Sequence, residues 1–396
     1  MAGPLDGVRV LDLTRLLPGN YCAWVLASLG ADVVKVEDPG AGDYMRDFGA
    51  QVDGQGALHH LVNRGKRSVV ADLKTPEGVE ILHRLVDGAD ALVESFRPGV
   101  MDRLGVGFDA LRRRRPGLVY ANVTGFGATG PLASRAGHDL NYIAFAGLLE
   151  RLGRADGPPV APPLAIADLI GGGMNTAIGV LAMLFQARST GVGGRVDTAL
   201  AEGAALLPTN LVADVLAGAE APGRGEAEFA GGSAAYDVYR LADGYITVGA
   251  VEPQFWKRMA EILDEPDLVA AKGDTGQDDF IRERLRKRFS ELTRVEATEL
   301  FAEADTCVEV VQSYEEMLVS PQAVEAGYLA QVPGLSMPVL APPYLIDGSR
   351  PEETRPAPRQ GENTVEVLRD LGYDEREITS LRARCIAAPR ASRPSP

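Results

Sequence analysis

A histidine beside a carboxylate is the first place in this sequence where proton chemistry could occur. His138 and Asp139 stand in segment 137–142, which reads Gly-His-Asp-Leu-Asn-Tyr, and the chain has four histidines. Histidine is the side chain that most readily gains or loses a proton near neutral pH. A histidine in a loop can also be structural or merely solvated, so both interpretations remain open on the local sequence.

Two further carboxylates stand where helices are predicted to begin. Asp168 precedes the apolar run 169–185, and Glu252 precedes Pro253 and a predicted helix at 254–263. A carboxylate in this location can simply cap the helix or complement its dipole. A helix amino terminus also holds a carboxylate in one geometry and favours bound anions, so a functional role is compatible with the structural one.

A glycine motif precedes His138 in the chain. Residues 125–130, Gly-Phe-Gly-Ala-Thr-Gly, match the G-x-G-x-x-G pattern of dinucleotide-binding folds. Pro131 follows directly, and the next residues predict a loop rather than the helix that the phosphate-binding mechanism requires. We therefore interpret the motif as a flexible loop that presents His138. The basic run 112–115 is interpreted as a solvated helix end, and a contact with a phosphate stays open as the alternative.

The elements that must position these residues follow a βαβ pattern. Short apolar runs alternate with helical patterns, which is typical of a parallel sheet with helices on both faces. Pro76, in the first turn after Thr75, marks one of the helix starts. The predicted strands are 8–13, 31–36, 68–73, 89–93, 118–123 and 195–198, and the predicted helices are 21–29, one from Thr75, 109–115, 169–185 and one from about Leu200.

The pattern changes in the second half of the chain. Segment 218–232 is rich in Gly, Ala, Pro and Glu and predicts a linker. An Asp-Gly pair between two apolar runs predicts a hairpin at 236–249, which would begin a smaller α+β domain. The proline-rich region 332–358 predicts a second extended connection, 363–371 a last helix, and the tail from Ala388 disorder.

Composition and charge argue against several classes of partner. The chain has 396 residues and a formal net charge of −15, whereas nucleic acids and anionic membranes attract positively charged proteins. The amino terminus does not resemble a signal peptide, and the run 169–185 is shorter than the roughly 20 residues that span a bilayer. Cys22, Cys307 and Cys385 are scattered without a CxxC pair, which predicts a reducing, cytoplasmic setting and no structural zinc.

Several segments together resemble the class III CoA-transferase (CaiB/BaiF) family, which includes the α-methylacyl-CoA racemases. The resemblance covers nearly the whole chain, is closest to the racemase branch and is racemase-like in the segment around Glu252. One of the segments that carry it is 137–142. Its other segments are Met1-Ala-Gly-Pro-Leu, Leu29-Gly-Ala-Asp-Val-Val-Lys-Val-Glu, Asn63-Arg-Gly-Lys-Arg-Ser, Ala71-Asp-Leu-Lys, Phe96-Arg-Pro-Gly-Val and Thr124-Gly-Phe-Gly.

The resemblance implies a two-domain α/β architecture in an interlocked homodimer. The large Rossmann-like domain, with a parallel sheet, would be built from both ends of the chain, and the smaller α+β domain from its middle. The implied boundaries are 1–200 and 340–396 for the large CoA-binding domain, 201–234 for a linker, 235–312 for the small domain and 313–339 for a return linker.

The resemblance also implies two alternative chemistries. In the transferases an aspartate matching Asp168 is the nucleophile that carries the acyl group and then CoA. In the racemases a histidine matching His138 and the same aspartate act as acid and base on opposite faces of the α-carbon, and a glutamate matching Glu252 pairs with the histidine. The backbone N–H near Asp139 is our candidate donor to the enolate oxygen.

The resemblance also implies which residues contact CoA. Lys74, Arg97 and Arg103 are suited to phosphate contacts. Asp38 stands where the racemases have an arginine for CoA, and the neighbouring segment 35–43 looks more like the transferases. The full set of implied CoA contacts is Ala71, Asp72, Leu73, Lys74, Ser95, Phe96, Arg97, Arg103, Gly137, Asn141 and Tyr142.

From these observations we expect an α-methylacyl-CoA racemase that epimerises the 2-position of a 2-methylacyl-CoA through an enolate. A class III CoA transferase using Asp168 is the first alternative, and a non-catalytic CoA-binding homologue is the second. Each of them would bind an acyl-CoA or CoA. We expect no cofactor beyond the CoA of the substrate, no metal, and neither nucleic acid nor membrane as a partner.

Overall fold

The computed structural model describes residues 3–272, 276–352, 354–384 and 386–389. The chain divides into two compact units. The larger unit comprises Met1–Leu148, Pro163–Pro208 and Gln322–Pro396, and the smaller unit comprises Leu149–Pro162 and Thr209–Pro321.

A six-stranded parallel sheet forms the centre of the larger unit, as predicted. Its strands are β1 (Arg9–Leu13), β2 (Asp32–Glu37), β3 (Arg67–Val70), β4 (Ala91–Glu94), β5 (Val119–Thr124) and β6 (Arg195–Ala199). Their spatial order is β3-β2-β1-β4-β5-β6, the order of dinucleotide-binding Rossmann folds. The chain therefore reverses direction along the sheet between β1 and β4, where ligands of open α/β sheets usually bind.

Apolar residues cover both faces of this sheet. Leu11 belongs to the core on one face and Val10 to the core on the other, because successive side chains of a strand point to opposite sides. The helices Thr364–Asp370 and Glu375–Ala383 near the carboxyl end contribute to the Leu11 side. The other helices of this unit are Leu17–Ser28, Ala57–Asn63, Pro76–Asp87, Val100–Arg103, Phe108–Arg114, Asp139–Phe145, Asn175–Thr190 and Leu200–Ala205, with a 3-10 turn at Tyr44–Asp47.

Two predicted helices differ from the observed ones. The first, predicted at 21–29, spans Leu17–Ser28, because Pro18 occupies its first turn, where a missing N–H costs nothing. The helix predicted at 169–185 extends to Thr190 and is preceded by a π-helical segment, Ala167–Met174. A fully buried helix would be expected from its apolar sequence, yet Phe185 is 80% exposed.

The helical segment Ala167–Thr190 is longer than the apolar run 169–185 that the sequence predicts. Its 24 residues are long and apolar enough to cross a membrane, whereas the sequence suggests a run too short for this. The observation concerns length and composition alone, and the core helix of a soluble protein passes the same test.

The smaller unit contains a three-stranded antiparallel sheet in the order β9-β8-β7. Strands β7 (Asp237–Arg240) and β8 (Tyr245–Val248) form the predicted hairpin, and β9 (Val308–Val310) pairs with β8. Trp256 is fully buried in the core of this unit and donates from its indole N–H to the carbonyl of Leu268 at 2.8 Å. The helices of this unit are Thr209–Leu216, Pro253–Ile262, Asp267–Ala271, Asp278–Ser290, Arg294–Phe301 and Tyr314–Val319, with a 3-10 turn at Glu228–Ala230.

The segments expected to be linkers contain regular structure. The predicted linker 201–234 includes most of the helix Leu200–Ala205 and all of Thr209–Leu216, and the return linker 313–339 includes Tyr314–Val319 and Pro321–Glu325. Helix Leu148–Arg151 and the two-residue strand pairs Gln51–Val52 with Gln55–Gly56 and Leu329–Ala330 with Val339–Leu340 complete the described elements. The domain boundaries given above remain predictions.

Several expectations fall on residues that the structure does not describe. The predicted disordered tail begins at Ala388, and residues 390–396 lie outside the described residues, as does Cys385. Of the other two cysteines, Cys22 is buried, Cys307 is exposed, and both are free thiols. The interlocked dimer also remains a prediction.

Candidate active site

Two loops meet at the carboxyl edge of the sheet where the strand order reverses. Residues Thr14, Arg15 and Leu16 follow β1, and residues Ser95, Phe96 and Arg97 follow β4. The loops are joined directly, because the backbone N–H of Arg15 donates to the Ser95 hydroxyl at 3.2 Å.

A cavity of about 570 Å³ opens between these loops and the segment that carries His138. His138 and Asp168 both line it, so the structure brings together two of the predicted catalytic residues. The predicted CoA contacts that also line it are Ser95, Phe96, Arg97, Gly137, Asn141 and Tyr142.

Hydrogen bonds within segment 137–142 fix the location of His138. The backbone N–H of His138 donates to the Asn141 side chain at 3.0 Å, just before helix Asp139–Phe145 begins. The Tyr142 hydroxyl donates to the Gly137 carbonyl at 2.6 Å. A Cβ at Gly137 would lie 2.8 Å from the Tyr142 ring, so only glycine permits this packing. As predicted, no helix begins at the last glycine of the 125–130 motif.

Asp168 is the second residue of the π-helical segment Ala167–Met174, a type of helix often found at functional sites. It lies near a helix start, as predicted, although Ile166 rather than Asp168 occupies the capping position. The backbone N–H of Asp168 donates to Asp139 Oδ1 at 2.8 Å. Burial, and secondly the charge of Asp139, raise the pKa of Asp168 to about 7. The carboxyl group can therefore hold or release a proton near neutral pH.

Close packing allows the π-helical segment to reach this location. A Cβ at Gly171 would lie 2.7 Å from the carbonyl oxygen of Leu200, at the start of helix Leu200–Ala205. A side chain at Gly171 would therefore push the backbone that carries Asp168 away from this helix.

A second cavity of about 280 Å³ lies next to the first and shares Arg15 and Phe96 with it. The predicted CoA contacts Ala71, Asp72, Leu73 and Lys74 line this second cavity. Arg103, in helix Val100–Arg103, is absent from the described lining of both cavities. Two adjoining cavities thus contain the predicted CoA contacts except Arg103.

Arg15 lines both cavities and is absent from the site residues predicted from the sequence. Its guanidinium forms an ion pair with Asp38 and lies 5.6 Å from the centre of the Tyr44 ring. Asp38, the residue at which the sequence departs from the racemases, therefore orients the Arg15 guanidinium, which lines both cavities. A basic residue directly after β1 at the strand-order reversal is the signal that could have identified Arg15.

Leu16 has an unusual backbone conformation at the edge of the larger cavity. Its φ of 62° and ψ of −164° lie in a region that glycine almost alone occupies, and such residues concentrate at active sites. The backbone N–H of Leu16 donates to Asp43 Oδ1 at 3.1 Å, which helps to hold this conformation. Nothing in a leucine side chain predicts a positive φ, so the sequence could not reveal it.

A buried ionic cluster supports the Leu16 loop. Lys35 pairs with Asp43 at 3.0 Å and Lys66 with Asp12 at 2.8 Å, and all four side chains are inaccessible to solvent. Although burial raises the pKa of Asp12, the charges of Lys35 and Lys66 outweigh it and hold this pKa below its usual value. Removing one partner from such a pair usually costs about 3–5 kcal/mol, because the other charge remains buried.

Four acidic side chains organise the loops after neighbouring strands. In each case a carboxylate at or just after the strand end accepts the backbone N–H of the residue two positions later. The pairs are Asp12 with Thr14 at 2.9 Å, Asp38 with Gly40 at 2.7 Å, Asp72 with Lys74 at 3.1 Å and Glu94 with Phe96 at 2.6 Å. Asp12 and Glu94 lie in the last two residues of β1 and β4, and Asp38 and Asp72 lie within two residues after β2 and β3. The loops after these four strands line the two cavities.

Glu252 belongs to the smaller unit, whereas His138 and Asp168 belong to the larger one. It occupies the position before helix Pro253–Ile262. Its backbone carbonyl accepts from the backbone N–H of Trp256 at 3.1 Å, and its side chain is exposed. Its pairing with His138 remains a prediction.

The basic run 112–115 behaves as a helix end, as interpreted. Arg114 forms an ion pair of 2.5 Å with Asp87, and Arg112 lies 5.7 Å from the centre of the Phe108 ring. Within the described ranges, none of the four arginines lines either cavity, and no group of three or more histidine, cysteine or acidic residues could hold a metal ion.

Comparison with known proteins decides the family. A family model described as CoA-transferase family III matches residues 5–364. The chain belongs to CoA-transferase family III. The family acts on acyl-CoA substrates.

Relatives in the family have both of the activities considered above. The chain is 36% identical to the human α-methylacyl-CoA racemase over 383 residues, which covers 95% of this chain and 96% of the relative. It is 32% identical to the human succinyl-CoA:glutarate CoA-transferase over 394 residues, which covers 96% of this chain and 88% of the relative. A solved structure of a CaiB/BaiF family protein from Brucella suis matches with a TM-score of 0.83 and 28% identity, covering 94% of this chain and 100% of that chain.

Proposed function

We propose that this member of CoA-transferase family III is an α-methylacyl-CoA racemase. The observation that carries the proposal is that His138 and Asp168 line one cavity and that burial raises the pKa of the Asp168 carboxyl to about 7. Racemisation requires a base and a protonated acid in the same site, and a carboxyl group with this pKa can take either role at neutral pH.

The proposed reaction removes one proton from the substrate, returns another and changes no oxidation state. In one direction the His138 imidazole removes the proton from the α-carbon of the thioester, which leaves an enolate. The Asp168 carboxyl then gives a proton to the opposite face, and the reverse reaction exchanges the roles. Backbone N–H groups near Asp139 would donate to the enolate oxygen, where negative charge develops. Glu252 would orient His138 and stabilise its protonated form.

The two adjoining cavities support an assignment for the coenzyme part of the substrate. In our proposal the CoA moiety contacts Ala71, Asp72 and Leu73 in the smaller cavity and passes Phe96 into the larger one. Lys74 and Arg97 would pair with its phosphates. The proposed reaction uses only His138, Asp168, Glu252, the backbone N–H groups near Asp139 and the substrate, with no metal or further cofactor.

A CoA transferase is the second candidate, and two observations favour it. The relatives include a transferase at 32% identity, and Asp38, in the transferase-like segment 35–43, pairs with Arg15 at the site. Asp168 would then attack the thioester carbonyl, forming a mixed anhydride and releasing the CoA thiolate. The thiolate would attack the aspartyl carbonyl of the anhydride, forming an aspartyl thioester and releasing the donor acid as its carboxylate. A pKa of about 7 suits the racemase, because a carboxyl group that is partly protonated at neutral pH can both donate and accept a proton. A non-catalytic homologue would bind CoA without either reaction.

Mass spectrometry of the thioester distinguishes these candidates. A 2-methylacyl-CoA would be incubated with the enzyme in heavy water together with succinate as a potential acceptor. Uptake of one deuterium without a new thioester is the expected result. A new succinyl thioester without deuterium uptake would establish the transferase reaction instead. Tight CoA binding without either change would indicate a non-catalytic homologue.

A further inference from the structure

Glu94 is a buried acid that the proposed reaction does not use. It is the last residue of β4, in register with Leu13 of β1 on one side and with Asn122 of β5 on the other. Its side chain is 2% exposed. It thus stands under the strand-order reversal and directly before the loop Ser95, Phe96 and Arg97.

Three hydrogen-bond donors surround the Glu94 carboxylate. Its Oε2 accepts the backbone N–H of Phe96 at 2.6 Å, and its Oε1 accepts the Tyr120 hydroxyl at 3.0 Å and the Asn122 amide at 2.7 Å. Burial raises the pKa of Glu94 to about 7, and the hydrogen bonds from Phe96 and Tyr120 act in the opposite direction. A carboxylate this deeply buried is retained only when donors compensate its lost hydration.

We infer that Glu94 is a positioning residue for the CoA part of the substrate, because it fixes the Phe96 backbone and with it the loop between the two cavities. The inference rests on the proposed function in one respect, namely that the ligand is an acyl-CoA. Glu94 itself is absent from the described lining of both cavities and acts through Phe96.

The contact between Glu94 and Phe96 bears on both cavities because of where the loop lies. Phe96 lines both cavities, and Arg97 lines the larger one. Ser95 accepts the N–H of Arg15, so the loop is attached to the β1 loop by Ser95 and to the sheet by Glu94. Without the Glu94 contact, Phe96 and Arg97 would occupy several positions, and binding would have to restore a single one.

Three variants separate positioning from general stability. Glu94→Leu introduces an apolar side chain of similar size and removes the acceptor for the Phe96 N–H. Glu94→Asp retains a carboxylate that can accept from the residue two positions later, as Asp12, Asp38 and Asp72 do at the neighbouring strand ends. Tyr120→Phe removes a different hydrogen bond to the same carboxylate and leaves the Phe96 contact in place.

The measurements are the binding of unesterified CoA, followed by calorimetry, and the steady-state kinetics of α-proton exchange with a 2-methylacyl-CoA. For Glu94→Leu we expect the Kd for CoA and the KM to rise about fivefold to tenfold, with kcat changed far less. Glu94→Asp and Tyr120→Phe should stay within about twofold of the wild type, even where their melting temperatures fall. Equal losses of CoA affinity in Glu94→Leu and Tyr120→Phe would overturn the inference in favour of a merely structural role.

Hydrogen exchange of the wild-type protein provides a test that needs no folded variant. The Phe96 amide should exchange slowly because it is bonded to a buried carboxylate, and exchange at the rate of an exposed amide would overturn the inference. The two proposals fail separately. Unchanged CoA affinity in Glu94→Leu would refute the positioning role with racemisation intact, whereas normal CoA binding without α-proton exchange in the wild type would refute only the reaction.

Discussion

The backbone N–H of Asp168 donates a hydrogen bond of 2.8 Å to Asp139 Oδ1, and Asp139 is the residue directly after His138. This contact joins the π-helical segment to the loop that carries the histidine, although the two residues are 29 positions apart in the chain. The distance between the proposed acid and base therefore depends on a hydrogen bond made by a third residue.

Removal of the imidazole should abolish the proposed reaction. We predict that His138→Ala lowers α-proton exchange by about 10²-fold or more, because general acid–base groups usually contribute about 10²- to 10⁴-fold. Deuterium uptake by the thioester measures this rate. A transferase should tolerate His138→Ala better than Asp168→Ala, so wild-type exchange in the histidine variant would refute the racemase assignment.

The pH profile should distinguish a racemase from a transferase. A racemase needs one proton shared between His138 and Asp168, so its kcat/KM should fall on both sides of an optimum near neutral pH. A nucleophilic Asp168 needs only to be ionised, and its rate should rise through pH 7 and then remain constant. Deuterium uptake by the thioester and formation of a new thioester with succinate, each followed from about pH 5 to 9, separate the two shapes.

Asp139→Asn should shift this profile without breaking the contact between the two segments. The asparagine oxygen can still accept the Asp168 N–H, but the charge that contributes to the raised pKa of Asp168 is removed. We therefore expect the low-pH inflection of kcat/KM to move to lower pH, while burial, the larger cause, keeps it above the usual aspartate value. Asp139→Ala is the control that also loses the hydrogen bond, and it should reduce the rate as well. An unchanged inflection in Asp139→Asn would show that the charge of Asp139 is unimportant.

Asp168 should make the folded protein less stable as the pH rises. Its pKa in the folded state, about 7, exceeds the ordinary value of 3.8, so the folded state binds the proton more tightly than the unfolded state. This stabilisation is complete below about pH 4 and is lost as the pH rises through 7, with a limiting slope of about 1.4 kcal/mol per pH unit. The difference in stability between Asp168→Asn and the wild type should therefore grow in favour of the variant between about pH 4 and 7 and stay constant above pH 7. Urea unfolding across this range tests the prediction, which a constant difference would contradict.

The conformation of Leu16 predicts an inverted order of two substitutions. At most positions alanine is more stable than glycine, because glycine gains more conformational freedom on unfolding. At a φ of 62° the order should reverse, with Leu16→Gly more stable than Leu16→Ala by about 1 kcal/mol, since both lose the side chain and only glycine relieves the strain. Val295, exposed in helix Arg294–Phe301, is the matched control, and there alanine should be the more stable. The same order at both positions would show that Leu16 is unstrained.

The sheet is readily predicted from the sequence because β1 to β5 are short, largely buried strands rich in apolar residues, whereas the edge strand β6 is partly exposed. The resemblance to a family, rather than local pattern, selects His138, Asp168 and the residues proposed to contact CoA, most of which line the two cavities. The sequence does not predict the start of the first helix, where Pro18 is a first-turn residue. It also does not predict the full extent of the helical segment Ala167–Thr190. Arg15 and Leu16 escape prediction because their roles depend on side chains from distant strands.

The carboxylates at the ends of β1 to β4 change how this sheet can recognise a coenzyme. In a dinucleotide-binding Rossmann domain, glycine-rich turns leave backbone N–H groups free, and peptide dipoles neutralise the pyrophosphate. Here the corresponding N–H groups of Thr14, Gly40, Lys74 and Phe96 are already occupied by acidic side chains. The anionic end of the proposed coenzyme would therefore meet mobile cations on long side chains, and salt should weaken its capture far more than it weakens the fold. In the proposed complex, the fold would keep the strand order of a nucleotide-binding domain, while its contacts with phosphate would come from side chains instead of the main chain.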